Sequence, residues 1–160
     1  MPKQESTIPA EIKVLNLPNI EYTVLMGGGV LELAGVRTAA DIDLVTTLKN
    51  RRALLARDPD VWRKLTHAYR RERDGSRFQV TSVTDTASRF DIWLDWYDES
   101  RPKGDRHISL DELIAHSTQH ALGFYVANLE FVIDLKRRST REKDTADVQL
   151  VDSLRRKSEL

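Results

Sequence analysis

The chain of 160 residues contains no cysteine. That removes disulfides, thiolate zinc sites and cysteine nucleophiles, and leaves the redox compartment open. Net charge is absent too, because 25 basic residues cancel 25 acidic ones. No global field therefore pulls the protein towards a polyanion or an anionic membrane, although a local basic patch survives such averaging. No apolar run is long enough to span a bilayer, and Met1 to Thr7 has no hydrophobic signal core. The expectation is a cytoplasmic protein without membrane association. There is no Gly-x-Ser-x-Gly elbow and no lysine placed after a glycine loop as in a P-loop. His67, His107, His116 and His120 have no metal-ligating spacing, and no repeat or low-complexity linker divides the chain. Length and continuity together predict a single domain over 1–160.

What is present is a succession of short strands and helices. Residues 1–12 read as a flexible terminus. Ile20 to Met26 is an apolar, β-branched run that ends at glycines and suits a buried strand. Val30 to Ala34 make a short apolar helix stopped at Gly35, and Asp41 to Thr46 alternates as a strand. A helix is expected over Asn50 to Leu55, and another opened by Asp58-Pro59 and running through Trp62, Leu65 and Tyr69. Arg77 to Thr84 and Arg89 to Trp96 form a predicted hairpin across Asp85-Thr86-Ala87-Ser88. Ser109 and Glu112 form a capping box, and Ala121 to Val126 is one more strand. Helices over Asn128 to Arg138 and Glu142 to Arg155 make a C-terminal helical tail, 128–155. The class is α/β (α+β), a mixed sheet flanked by helices.

Two segments carry chemistry. Gly27-Gly28-Gly29 lies between a strand and a helix, where bare backbone can approach an anion and helix amides are unpaired. A tight turn relieved of strain explains the same glycines. Asp41 and Asp43 share a face of their strand while Ile42 and Leu44 anchor the other. Two such carboxylates repel unless a cation lies between them, and oxygen ligands favour magnesium or manganese. An exposed Asp41 and an Asp43 paired with Arg37 is the competing explanation. Asp91, flanked by Phe90 and Ile92, is costly to bury without a partner, which a metal would explain, with Asp95 a weaker choice; a half-exposed strand whose outer face carries Asp91, Trp93 and Asp95 is the competing explanation. Arg70, Arg71, Arg73 and Arg77 make a basic stretch that reads as a solvated helix end. Trp93 and Trp96 read as packing residues.

Taken together, Met26-Gly27-Gly28, about ten residues and then Asp41-Ile42-Asp43-Leu44 resemble the signature of the DNA polymerase β-like nucleotidyltransferase superfamily. Gly35-Val36-Arg37-Thr38 resembles the Gly-x-Arg-x-Thr approach of small bacterial members. Leu129 to Lys136, followed by Arg141-Glu142-Lys143-Asp144-Thr145-Ala146-Asp147, is similar to the tail of nucleotidyltransferases that include abortive-infection toxins. The resemblance covers about Tyr22 to Leu154.

It implies an enzyme that moves a nucleoside monophosphate from a nucleoside triphosphate such as ATP to an acceptor hydroxyl, releasing pyrophosphate. Asp41, Asp43 and Asp91 would be catalytic and would hold Mg2+ or Mn2+. Gly27, Gly28, Gly29, Arg37 and Lys136 would bind the nucleotide, and Arg141, Asp144 and Asp147 would order the junction of the two tail helices. The acceptor, a small molecule, a tRNA or a protein, is not specified. A homodimer or an antitoxin-type partner would complete the short chain. Gly29 departs from the Ser or Thr common at its position, and Thr38-Ala39-Ala40 lacks a second hydroxyl residue before Asp41. Two rival functions share these residues: a catalytically inactive nucleotide- or partner-binding module of a toxin–antitoxin-like system, and a small metal-dependent phosphohydrolase.

Overall fold

The computed structural model describes residues 4–71, 77–85, 89–98 and 106–160, with side chains described for 4–62, 89–96 and 107–160. Arg73, Thr86, Ala87 and Ser88 lie outside the described residues, as do the side chains of His67, Arg70, Arg71 and Arg77. The chain forms the expected class, a mixed sheet flanked by helices and closed by a helical tail.

Seven strands make the main sheet: β1 (Val24–Met26), β2 (Ile42–Val45), β3 (Trp62–Arg71), β4 (Arg77–Asp85), β5 (Phe90–Trp93), β8 (Ser117–Gln119) and β9 (Tyr125–Ala127). Their spatial order is β3-β4-β5-β2-β1-β9-β8. β2 runs parallel to β5 and β1 parallel to β9, while the other neighbours are antiparallel. A separate ribbon pairs β6 (Trp96–Asp98) with β7 (Arg106–Ile108). The helices are α1 (Ile8–Val14), α2 (Gly27–Leu33), α3 (Leu48–Arg57), α4 (Leu110–Ala115), α5 (Leu129–Arg138) and α6 (Glu142–Arg156).

The central strands are short because they are buried and tightly punctuated. Val24, Leu25, Met26, Ile42, Leu44, Val45 and Ile92 are all fully or almost fully buried, as expected where helices cover a sheet. Thr47 caps α3 by accepting from Asn50 N at 3.2 Å, and Ser109 caps α4 by accepting from Glu112 N at 3.2 Å. The tail helices fall where their periodicity placed them, and the predicted pairing of the 77–84 and 89–96 segments appears as β4 against β5.

Two expectations fail. Trp62 to Tyr69 is strand, not helix: Asp58 terminates α3, and β3 then pairs along β4 with an irregular register between Thr66 and Tyr69. Cross-strand pairing overrides a local helical pattern, and the irregularity scrambles the alternation that would have announced a strand. Of the expected loose terminus, residues 8–12 are ordered helix. They belong to α1, whose Ile8 and Ile12 are fully buried in the core. The predicted 121–126 strand is shifted: a turn with Gly123 at φ +105° separates β8 from β9.

One polar hub fastens α1 to the sheet. Arg89, just before β5, donates to Glu11 Oε2 at 2.9 Å, Glu32 Oε2 at 3.0 Å and the Ala39 carbonyl at 2.6 Å. Glu32 also accepts from Ser6 Oγ and Ala39 N. The Arg89 bond outweighs the opposing effect of burial and holds the Glu32 carboxyl down at about 2. Glu11 is lowered as well, first by Arg89. Both folded values lie below the unfolded ones, so this stability is present above about pH 4.3 and is lost as pH falls towards 2. Arg89→Ala should cost about 2–4 kcal/mol in urea unfolding at pH 7, because it orphans two acids and a carbonyl. Its penalty should shrink below pH 4, and a variant as stable as the parent at pH 7 would exclude this role.

Candidate functional site

The site grows out of one row across the sheet. Met26 pairs with Asp43 in the antiparallel β1–β2 ladder, and Asp43 pairs with Asp91 in the parallel β2–β5 ladder. Residues opposite each other in adjacent strands project to the same face. Asp43 and Asp91 are therefore neighbours, both half-buried, with Ile42, Leu44 and Ile92 sealing the strands around them.

The glycine turn closes on this row. β1 passes directly into α2, and Gly27 takes φ +58°, a left-handed conformation that glycine adopts without strain. A Cβ on Gly27 would stand 2.9 Å from Asp43 Oδ2, so turn and carboxylate demand a bare residue there. Gly28 faces Arg37, whose guanidinium nitrogens would lie 3.3 Å from an added Cβ. Gly29 points the other way. Its Cβ would come within 2.6 Å of Leu25 Cδ1 and 3.5 Å of Ile8 Cδ1, so the core excludes a Ser or Thr side chain at that position. The departure from the motif at Gly29 is thus a packing requirement of α1 and β1.

Asp43 is held on both sides. Trp93 Nε1 donates to Asp43 Oδ1 at 3.0 Å. Burial raises the Asp43 pKa to about 6; the Trp93 bond opposes this, Asp91 and Asp41 add to it, and Lys143 draws it back. Asp41 is exposed at the approach to β2. Asp95 does not continue the face of Asp91: β5 ends at Trp93, and Asp95 Oδ2 lies 3.0 Å from His107 Nε2.

Next to the glycine turn lies a compact ion-pair network. Arg37 binds Asp147 with two bonds of 2.6 and 2.8 Å and donates to the Thr38 carbonyl at 3.0 Å. Lys136 reaches Asp144 at 2.8 Å and Asp147 at 2.9 Å, and Ser139 donates to Asp144 at 2.7 Å. Arg141 lies 3.7 Å from Asp144. Burial alone would raise both acids, but their basic partners outweigh it and leave both lowered. The tail helices are thereby locked to each other and to the segment before β2. Lys136 and Arg37 each have carboxylate partners in this arrangement.

Two residues of the site were not singled out from the sequence. Trp93 reads as a packing residue from the sequence, even where it shares a face with Asp91, because an indole partner on another strand is not visible there. Lys143, exposed in the first turn of α6, influences Asp43 from a helix far away in sequence. Its spacing to Asp147, one helical turn, was visible; the docking of that turn beside Gly28 was not.

Among the described residues, no three of His, Cys, Asp or Glu gather closely enough to form a complete metal site. The donors nevertheless suit a hard divalent cation. Asp43 and Asp91 offer oxygen ligands side by side, and the repulsion that they and Asp41 exert is what a cation relieves. Magnesium commonly takes one or two carboxylates and completes its shell with water and substrate phosphate, without an all-protein cage.

No family model and no curated protein matches the chain. Among solved structures, it is similar to JHP933 from Helicobacter pylori, at 17% identity and a TM-score of 0.38, over 91% of this chain and 66% of that one. It is also similar to a protein from H. pylori named as a candidate nucleotidyltransferase, at 16% identity and a TM-score of 0.35, over 82% of this chain and 58% of that one. The chain thus spans less than two thirds of the length of either. No described helix is long and apolar enough to cross a membrane.

The raised pKa of Asp43 has a consequence for stability. Its folded value of about 6 lies above the unfolded one, so the native state binds the extra proton and stability falls as pH rises from about 4 through 6. Asp43→Asn keeps an acceptor for Trp93 and removes the charge. It should stabilise the metal-free protein at pH 8 by about 2 kcal/mol, or roughly 4–8 °C in Tm, and much less at pH 4. Equal Tm values for the two proteins at pH 8 would show that the carboxylate carries no such penalty.

Proposed function

We propose that the protein is a metal-dependent nucleotidyltransferase, which moves a nucleoside monophosphate from a nucleoside triphosphate such as ATP to an acceptor hydroxyl. The observation that carries this reading is the row formed by the Gly27 turn, Asp43 and Asp91, in which bare backbone abuts one of two adjacent carboxylates. The motif Met26-Gly27-Gly28 with Asp41-Ile42-Asp43 supports the same chemistry.

In this reading the triphosphate lies along the glycine turn. Gly27 and Gly28 offer it bare backbone, and Arg37, held over Gly28 by Asp147, presents positive charge beside it. Lys136 fixes that arrangement through the shared Asp147, and Lys143, in the first turn of α6, acts electrostatically on Asp43. Mg2+ or Mn2+, held by Asp43 and Asp91 with Asp41 at the rim, would supply neutralising charge for the phosphates and the attacking oxygen. Asp91 orients the acceptor hydroxyl and takes its proton. The acceptor oxygen bonds to the α-phosphorus as the bond to the bridging oxygen breaks, and pyrophosphate carries the electron pair away. A toxin–antitoxin-type partner or a second copy of the chain is the proposed source of further acceptor contacts.

Incubation with each α-labelled triphosphate, Mg2+ and cell extract should transfer label to one class of acceptor and release pyrophosphate stoichiometrically. Asp43→Ala should lower that transfer by about 100-fold or more. Orthophosphate or nucleoside release without transfer would instead identify a phosphohydrolase. Triphosphate binding indifferent to both Mg2+ and Asp43→Ala, with no transfer, would identify a non-catalytic module.

A further inference from the structure

Trp93 does more than pack. Its indole is half-buried, lies edge-on to Trp96 with ring centroids 6.0 Å apart, and places Nε1 3.0 Å from Asp43 Oδ1. Its backbone is fixed as well, because Trp93 pairs with Val45 in the β2–β5 ladder and its carbonyl accepts from Thr46 N at 2.9 Å. An indole has one donor and no acceptor, so this contact has a single sense: Trp93 donates and Asp43 accepts. One carboxylate oxygen is thereby tied down. The other, Oδ2, is turned towards the bare backbone of Gly27, where an added Cβ would stand 2.9 Å from it.

We propose that Trp93 is a positioning residue for the site, occupying Oδ1 of Asp43 so that Oδ2 alone is presented beside Gly27 to a divalent cation. The inference rests on the nucleotidyltransferase reading for the identity of that cation. Its physical content is a rigid aromatic donor behind a ligating carboxylate, on the same strand as the second carboxylate, Asp91. Strand β5 then contributes one ligand directly and orients another through its neighbour β2. A phenyl ring at position 93 would keep the edge contact with Trp96 and lose the donor, leaving the Asp43 carboxylate free to rotate about its side chain.

The test uses the full chain and Mg2+ alone. The three tryptophans give three indole N–H resonances in a 1H–15N spectrum, and Trp93→Phe assigns the relevant one by its disappearance. On Mg2+ titration of the parent, the Trp93 resonance should move with the same dissociation constant that calorimetry reports, and further than that of Trp62. In Asp43→Asn the Trp93 resonance should begin at a different position and stay still. Trp93→Phe, shown to be folded by circular dichroism, should bind Mg2+ about 10–100-fold more weakly, the usual effect of removing a partner behind a metal ligand. Parent-like Mg2+ affinity in Trp93→Phe, or a Trp93 resonance unmoved while the parent binds Mg2+, would overturn the positioning role and leave the function intact. Should Trp93→Phe not fold, the indole resonance displaced in Asp43→Asn identifies Trp93, and its failure to move in the parent on Mg2+ binding would overturn the positioning role. A parent that binds no Mg2+ at all would overturn this inference together with the metal-dependent function.

Discussion

The register of β2 between its two neighbours is the constraint on which the site depends. Side chains alternate along a strand, so a slip of one residue against β1 or β5 would turn Asp43 into the core and expose Leu44. Ile42 and Leu44 resist that slip because both are completely buried. The same register puts Asp43 beside Met26, the last residue before the glycine turn, and beside Asp91 on β5. Apolar burial on one side of the strand thus sets the position of the charge on the other. The Arg89 hub reinforces the register from outside the sheet: it joins the start of β5 to the Ala39 carbonyl just ahead of β2, and both to α1 and α2.

Much of this arrangement was readable in the sequence because it is local. The glycine turn, the acid–aliphatic alternation at 41–44, the capping box at Ser109 and the periodicity of α5 and α6 each involve a few consecutive residues. Asp91 is legible in the same way, as an acid set in an apolar strand, and it pairs with Asp43. The failures share a different cause. Trp62 to Tyr69 resembles a helix in isolation and becomes a strand only because Arg77 to Asp85 pairs with it. The first dozen residues look polar and loose, yet two isoleucines four residues apart suffice to dock a helix on Gly29 and the core. Gly29 reads as a defect in a phosphate motif until Leu25 and Ile8 are seen beneath it. Trp93 reads as packing because its hydrogen-bond partner, Asp43, lies fifty positions away.

The tail shows how distant segments are made to serve one place. Arg37 and Asp147 are 110 residues apart, and their two-bond contact fastens α6 to the segment leading into β2. Lys136, nearly buried, shares Asp147 and also holds Asp144, so α5 and α6 cannot separate without exposing unpaired charge. A network of this kind adds little to stability when compared with an apolar replacement, but it specifies one packing against others. Here the specified packing sets a guanidinium over Gly28 and brings Lys143 within electrostatic reach of Asp43.

The contrast between the two groups of acids distinguishes the site from the scaffold. Glu32, Asp144 and Asp147 are each shielded from water and each lowered, because Arg89, Lys136 or Arg37 donates directly to them. The fold therefore has cations available and uses them wherever a buried carboxylate serves structure alone. Asp43 is treated differently. It receives a neutral indole donor in place of a cation, it stands beside Asp91, and among the described carboxyls with a resolved shift it is the one that is raised. Leaving charge uncompensated in a half-buried position costs stability, and structural packing alone gives no reason to retain it. Asp43 is thus positioned by backbone register and a neutral donor where the scaffold acids are held by direct cationic partners, and its Oδ2 faces bare backbone at Gly27.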